Sequence, residues 1–192
     1  MRWLSLLTLP LIVAAPVGQQ QSSPAARTPE ATLCGVNILP LNVQILLKAQ
    51  FPSWKIQEPE NLSERARESW EADKPVVCPG IATGRFQSST ETSHALLLVP
   101  IARPDEGYRF VVFSRQVGQT EYSVNLVEQR DGAGASNYYV HEVRTDEFFS
   151  SRGKLKPEAP EAILFVDSAE NEYEANVYFW ANGRYEHSWV DR

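Results

Sequence analysis

Side chains that carry metal or nucleophilic chemistry are scarce in this chain, which has three histidines and two cysteines in 192 residues. His94, His141 and His187 fall in separate segments, and no Cys/His set stands at metal-ligand spacing. A helical HExxH metal motif and a GxSxG nucleophile elbow are both absent. The sequence therefore names no metal, no cofactor and no catalytic residue. Basic residues are also in deficit, with 18 Lys and Arg against 24 Asp and Glu and no local Lys/Arg cluster. An acidic surface repels phosphate backbones and anionic headgroups, so nucleic acids and anionic membranes are disfavoured partners. Beyond the N-terminus no apolar run approaches the ~18 residues of a spanning helix, so no membrane span is expected in the mature chain. No repeat of fixed period appears.

What is present begins with a leader. Met1 to Ala15 (MRWLSLLTLPLIVAA) places one positive charge before a short apolar run, the pattern of a secretory signal. Val13-Ala14-Ala15 offers small residues for cleavage, and Pro16 moves the expected cut downstream, so 1–18 reads as the signal peptide. Its removal takes away only Arg2 and shifts the net charge from −6 to −7. Segment 19–33 contains QQQSSPAARTPE, too polar to bury much surface, and reads as a flexible linker. The remaining 34–192 is expected to be a single domain, secreted or periplasmic. Such a compartment is oxidising, so Cys34 and Cys78, 44 residues apart, are expected to form a disulfide. Leu33 before Cys34 and the distance from the leader argue against a lipid-modified cysteine.

Two helices are expected first. Pro40 opens one, with Val43, Leu46, Leu47 and Phe51 at helical spacing before Pro52. Asn61 caps the other, with Glu64 completing a capping box and Leu62, Ala66 and Trp70 on one side, until Pro75. From residue 78 the pattern turns to strands and no helix is expected. The apolar runs ALLLVPI (95–101), YRFVVF (108–113) and AILFV (162–166) read as buried strands, with further strands at 81–86, 122–128 and 138–143. Segment 150–160 reads as a loop. Asn182-Gly183 between two β-prone runs is the strongest hairpin signal in the chain and pairs Ala181 with Arg184. The expected fold is α+β: two N-terminal helices packed on one face of a mostly antiparallel sheet of six to eight strands.

That hairpin supplies the main candidate site. Its register puts Asn176, Tyr178, Trp180, Tyr185, His187 and Trp189 on one face, a set suited to stacking sugar rings or a peptide. The competing use of this face is as core. On the binding reading, Trp180→Ala and Tyr185→Ala abolish binding without loss of stability; a loss of several kcal/mol marks them as core. Three other candidates are weaker. His141-Glu142 alternate across a strand and do not converge. The Gly-rich turn Asp131 to Ser136 lacks the helix and lysine of a phosphate cradle. Asn61-Leu62-Ser63 is a glycosylation sequon that matters only in a eukaryotic secretory route.

Phe51-Pro52-Ser53-Trp54, Trp70, the run Cys78-Pro79-Gly80-Ile81-Ala82-Thr83-Gly84-Arg85-Phe86 and the apolar strand Ala95 to Pro100 together resemble a type of bacterial exported protein. It is an uncharacterised group with an FPxW … CPGxxxGxF pattern. The likeness spans roughly 38–113 and 162–190; it implies export and this fold class, and no activity. Some of that group carry an acidic cation-binding turn after GxF. Here Gln87 to Thr92 holds a single carboxylate, too few for a hard cation. The sequence thus points to an exported, non-catalytic binding or interaction module for an envelope protein or a carbohydrate or peptide ligand. The alternative is a small envelope-acting hydrolase or lyase.

Overall fold

Asn182 and Gly183 both adopt positive φ (54° and 74°), as a two-residue hairpin turn requires, and this turn anchors half of the architecture. The computed structural model describes residues 34–73, 77–149, 156–169 and 174–191. The expected leader and linker over 1–33 lie outside the described residues, as does the first part of the 150–160 loop. The described residues form nine strands in two antiparallel sheets and three α-helices, α1 (Leu41–Gln50), α2 (Glu64–Asp73) and α3 (Thr145–Phe149).

The first sheet contains β1 (Trp54–Ile56), β2 (Ile81–Gly84), β3 (Ser93–Pro100), β4 (Gly107–Arg115) and β5 (Tyr122–Asp131). β1 and β2 share one edge of β3, and the order then runs through β4 to β5. The second sheet runs β6 (Tyr138–Arg144), β7 (Glu161–Asp167), β8 (Glu174–Ala181), β9 (Arg184–Asp191).

The α+β class and the antiparallel pairing agree with the sequence reading, but a single sheet covered on one face does not. The reason is visible in β3 and β7, whose apolar runs need cover on both sides. Ala95, Leu97 and Val99 of β3 meet Ile163 and Phe165 of β7 in a core between the sheets. Leu96 and Leu98 point the other way, under Val43 and Leu47 of α1. Ala162, Leu164 and Val166 point outward beneath Ala66 and Trp70 of α2. The two helices therefore cover opposite outer faces, giving four layers. Each buried large side chain contributes about 1.5–3 kcal/mol, so a one-sheet arrangement would forfeit one of these clusters.

Three further details differ from expectation. The ninth strand, β1, is only three residues long and follows Pro52. The five-residue α3 follows β6, where no helix was expected, and lays Phe149 edge-on against Phe179 at 4.8 Å. Asn61 sits in a 3-10 turn, and the cap of α2 is Ser63, whose Oγ accepts from the Ala66 N–H at 3.3 Å.

Cys34 and Cys78 form a buried disulfide, S–S 2.09 Å, in the cluster beneath α1. Beside it, Gly80 has no room for a side chain, because a Cβ there would lie 2.5 Å from the Gln57 carbonyl oxygen. That close approach lets the Leu97 N–H donate to the Gly80 carbonyl at 2.9 Å. Gln57 is itself fully buried and donates through Nε2 to the Ala135 carbonyl at 2.8 Å, fastening the edge of the first sheet to the β5–β6 connection. Among the described residues no helix is long and apolar enough to cross a membrane.

Candidate functional site

The β8–β9 hairpin has the register read from Asn182-Gly183: Trp180 opposite Tyr185, Tyr178 opposite His187, Asn176 opposite Trp189. Its other face, with Ala175, Val177, Phe179 and Val190, packs beneath α2 and α3. The aromatic face is thus turned toward the first sheet, and the five residues singled out from sequence divide into two sets.

Tyr178 and Tyr185 belong to the inter-sheet core. Tyr178 is buried, with its ring edge-on to Phe110 at 5.1 Å. Tyr185 is half-buried and meets Trp180 edge-on at 5.1 Å. Its place in the core removes it from the residues whose truncation leaves stability unchanged. The second set lies on the margin, where β9 forms the edge of its sheet. His187 is exposed, with Nδ1 3.2 Å from Asn176 Oδ1 and its ring 5.4 Å from that of Tyr178. Trp189 is 45% exposed and Trp180 half-buried.

Sequence reasoning missed what lies behind this margin. The Glu128 carboxylate accepts from the Tyr108 hydroxyl at one oxygen and from the Tyr178 hydroxyl at the other, a charged clamp across the two sheets. Tyr108 also packs on Tyr138, 5.3 Å between centroids, and Arg130 reaches the Tyr138 hydroxyl at 3.4 Å. Simple alternation puts Glu128 on the same side as Tyr122, Val124 and Leu126. A register shift between Phe110 and Val111 breaks that alternation, so Glu128 pairs with inward Phe110 while Leu126 pairs with outward Val111.

Burial, and then the hydrogen bond to Glu128, push the Tyr108 and Tyr178 phenols well above their ordinary 10.0. Burial does the same to Tyr185, and burial with the nearby Asp167 raises Tyr138. A raised phenol keeps its proton in the fold, so the stability it contributes is complete below 10.0 and is lost as pH rises beyond it. An alkaline titration followed by tyrosinate absorbance is therefore expected to leave these four of the seven tyrosines protonated past pH 10.0 while the fold persists. They should ionise together with unfolding, and smooth titration of all seven in the folded protein would contradict this.

No family model, no curated protein and no solved structure matches this chain.

The other titratable groups are spread over different faces. His94 is buried on the outward side of the first sheet, 3.2 Å from Thr83 Oγ1, and burial pushes its pKa down. His141 shares the outward side of the second sheet with Tyr139 and Val143, while neighbouring Glu142 is exposed. His187 alone lies on the inter-sheet side, so no two histidines converge. A cavity of about 300 Å³ is lined by Arg85, Arg144, Thr145, Asp146, Pro160 and Glu161. Its charges are matched internally: Arg85 grips Glu161 through Nε at 3.0 Å and Nη2 at 2.5 Å, and Arg144 grips Asp146 at 3.0 and 2.7 Å. Arg85 holds the Glu161 carboxyl below the usual range, and Arg144 does so for Asp146. Among the described residues no group of three or more His, Cys, Asp and Glu is placed to hold a metal ion.

Proposed function

We propose that this chain is an exported, non-catalytic binding module whose ligand, a carbohydrate or a peptide, lies along the β9 margin over Trp180, His187 and Trp189. The observation that carries this reading is the division of the hairpin's aromatic face. Tyr178 and Tyr185 are committed to packing, whereas Trp189 keeps 45% of its surface open beside the amide of Asn176 and the imidazole of His187. A rigid exposed ring next to planar polar groups offers stacking area at low entropic cost together with directional hydrogen bonds. The buried disulfide supports an oxidising compartment, secreted or periplasmic. The likeness to exported proteins bearing the FPxW and CPGxxxGxF pattern supports the same placement.

Binding is favoured over hydrolysis on chemical grounds. Glu161 and Asp146 are gripped by guanidiniums that hold both carboxyls below their usual range, which weakens them as bases. The test is a tryptophan-fluorescence titration of the mature protein against a panel of soluble oligosaccharides and a panel of short peptides. At least one panel member is expected to shift the emission. Trp189→Ala should abolish that response while moving stability by less than about 0.5 kcal/mol. No response from either panel, or one that Trp189→Ala leaves intact, overturns the reading.

A further inference from the structure

The opposite side of the molecule carries a second surface, independent of the hairpin. Four of the exposed large apolar side chains fall within ten residues, Val36, Ile38, Leu41 and Ile45. Leu41 and Ile45 stand one turn apart on the outward side of α1 and are 68% and 58% exposed. Their neighbours Val43 and Leu47 already fill the core below, so α1 is apolar on two sides. Beside this ridge runs a groove of about 480 Å³ between α1 and the start of β5, walled by Asn42, Ile45, Leu46, Thr120, Glu121 and Tyr122. Along β5 the same outward register continues through half-buried Val124 to exposed Leu126. The outer face of the first sheet is thus buried beneath α1 and open along β5, where Leu126 is 50% exposed.

We propose that a second copy of this chain covers it, the Leu41–Ile45 ridge of each protomer filling the other's groove about a two-fold axis. Charge selects this occupant. From Cys34 to Gln57 the chain has no acidic residue, although it holds 24 in all and carries a net charge of −6. Two such acidic molecules can approach through this face with little repulsion. Lys48 lies one turn beyond Ile45, Glu121 stands on the groove wall, and neither forms an ion pair among the described residues. An isologous arrangement brings Lys48 of one copy to Glu121 of the other, twice. An anionic bilayer is the poorer fit, because it rewards several basic residues and this ridge offers only Lys48.

Sedimentation of the mature protein over a dilution series tests the proposal. A concentration-dependent dimer is expected. Leu41→Glu and Ile45→Glu should each yield monomer with unchanged circular dichroism and melting temperature, because both side chains are exposed. Lys48→Glu and Glu121→Lys should each raise the dissociation constant about tenfold, and the double exchange should recover most of that loss. A monomer at every concentration overturns the proposal, as does a dimer indifferent to Ile45→Glu or a charge exchange that fails to rescue. So does a monomer that binds anionic vesicles through Leu41 and Ile45.

Discussion

Tyr178→Ala is expected to cost about 3–5 kcal/mol in a urea unfolding titration, a large share of the total for a domain of this size. Three losses combine. The ring is buried against Phe110 at 5.1 Å and Phe165 at 6.0 Å, so truncation removes packing on both sheets and leaves a cavity. The hydroxyl that satisfies one Glu128 oxygen disappears, leaving a partly buried carboxylate with one donor fewer. The edge-on pair with Phe110, which contributes about 0.5–1.5 kcal/mol beyond area burial, is also lost. Trp189→Ala, two positions past Tyr178's cross-strand partner His187 and on the same hairpin face, should move stability by only about 0.5 kcal/mol. The contrast between the two variants is the point. Equal effects would mean that the face is either all core or all surface, and the proposed division would fall.

The second large effect concerns the disulfide. Replacing both cysteines, Cys34→Ala with Cys78→Ala, should cost about 4 kcal/mol, the chain-entropy value for closing a loop of this length. The 44-residue span contains β1 and the two helices, α1 and α2, that cover the outer faces of the sandwich. In the reduced chain those elements explore far more conformations before folding, and the folded state gains nothing in return. Both sulfurs are buried, so a reducing agent should act on native protein only through opening of the structure. Unfolding titrations with and without reductant check this. A variant with the same midpoint as the parent would show that the bond constrains nothing that packing does not already hold.

Most local elements were legible in the sequence because they depend on near neighbours. Asn182-Gly183 dictates positive φ at two positions and hence the whole β8–β9 register. The apolar runs of β3, β4 and β7 announced buried strands, and Val43 with Leu47 announced the buried side of α1. What was not legible depends on distant partners. An apolar run says that both faces of a strand are covered without saying whether a helix or another sheet covers them. The second sheet, and the placing of α1 and α2 on opposite outer faces, therefore escaped the reading. β1 escaped because three residues carry no periodicity.

The candidate site was half legible for the same reason. Hairpin register names the residues that share a face, and it correctly grouped Tyr178, Trp180, Tyr185, His187 and Trp189. It carries no information about what stands opposite. Glu128 was hidden further by the irregularity between Phe110 and Val111, which reverses the alternation that a regular β5 would follow. Asn61 was favoured as a helix cap on residue type alone, whereas the cap fell to Ser63, which also donates to Asn137 Oδ1 at 2.8 Å.

A double-mutant cycle across the clamp tests the inward orientation of the hairpin face most directly. Tyr178→Phe removes one hydroxyl, Glu128→Gln removes the charge it serves, and each should destabilise the protein on its own. If the two side chains meet between the sheets, the double variant will lose less than the sum of the singles, by about 1 kcal/mol or more. Strict additivity would mean that β8 and β5 do not face each other, and the inter-sheet core described above would be wrong.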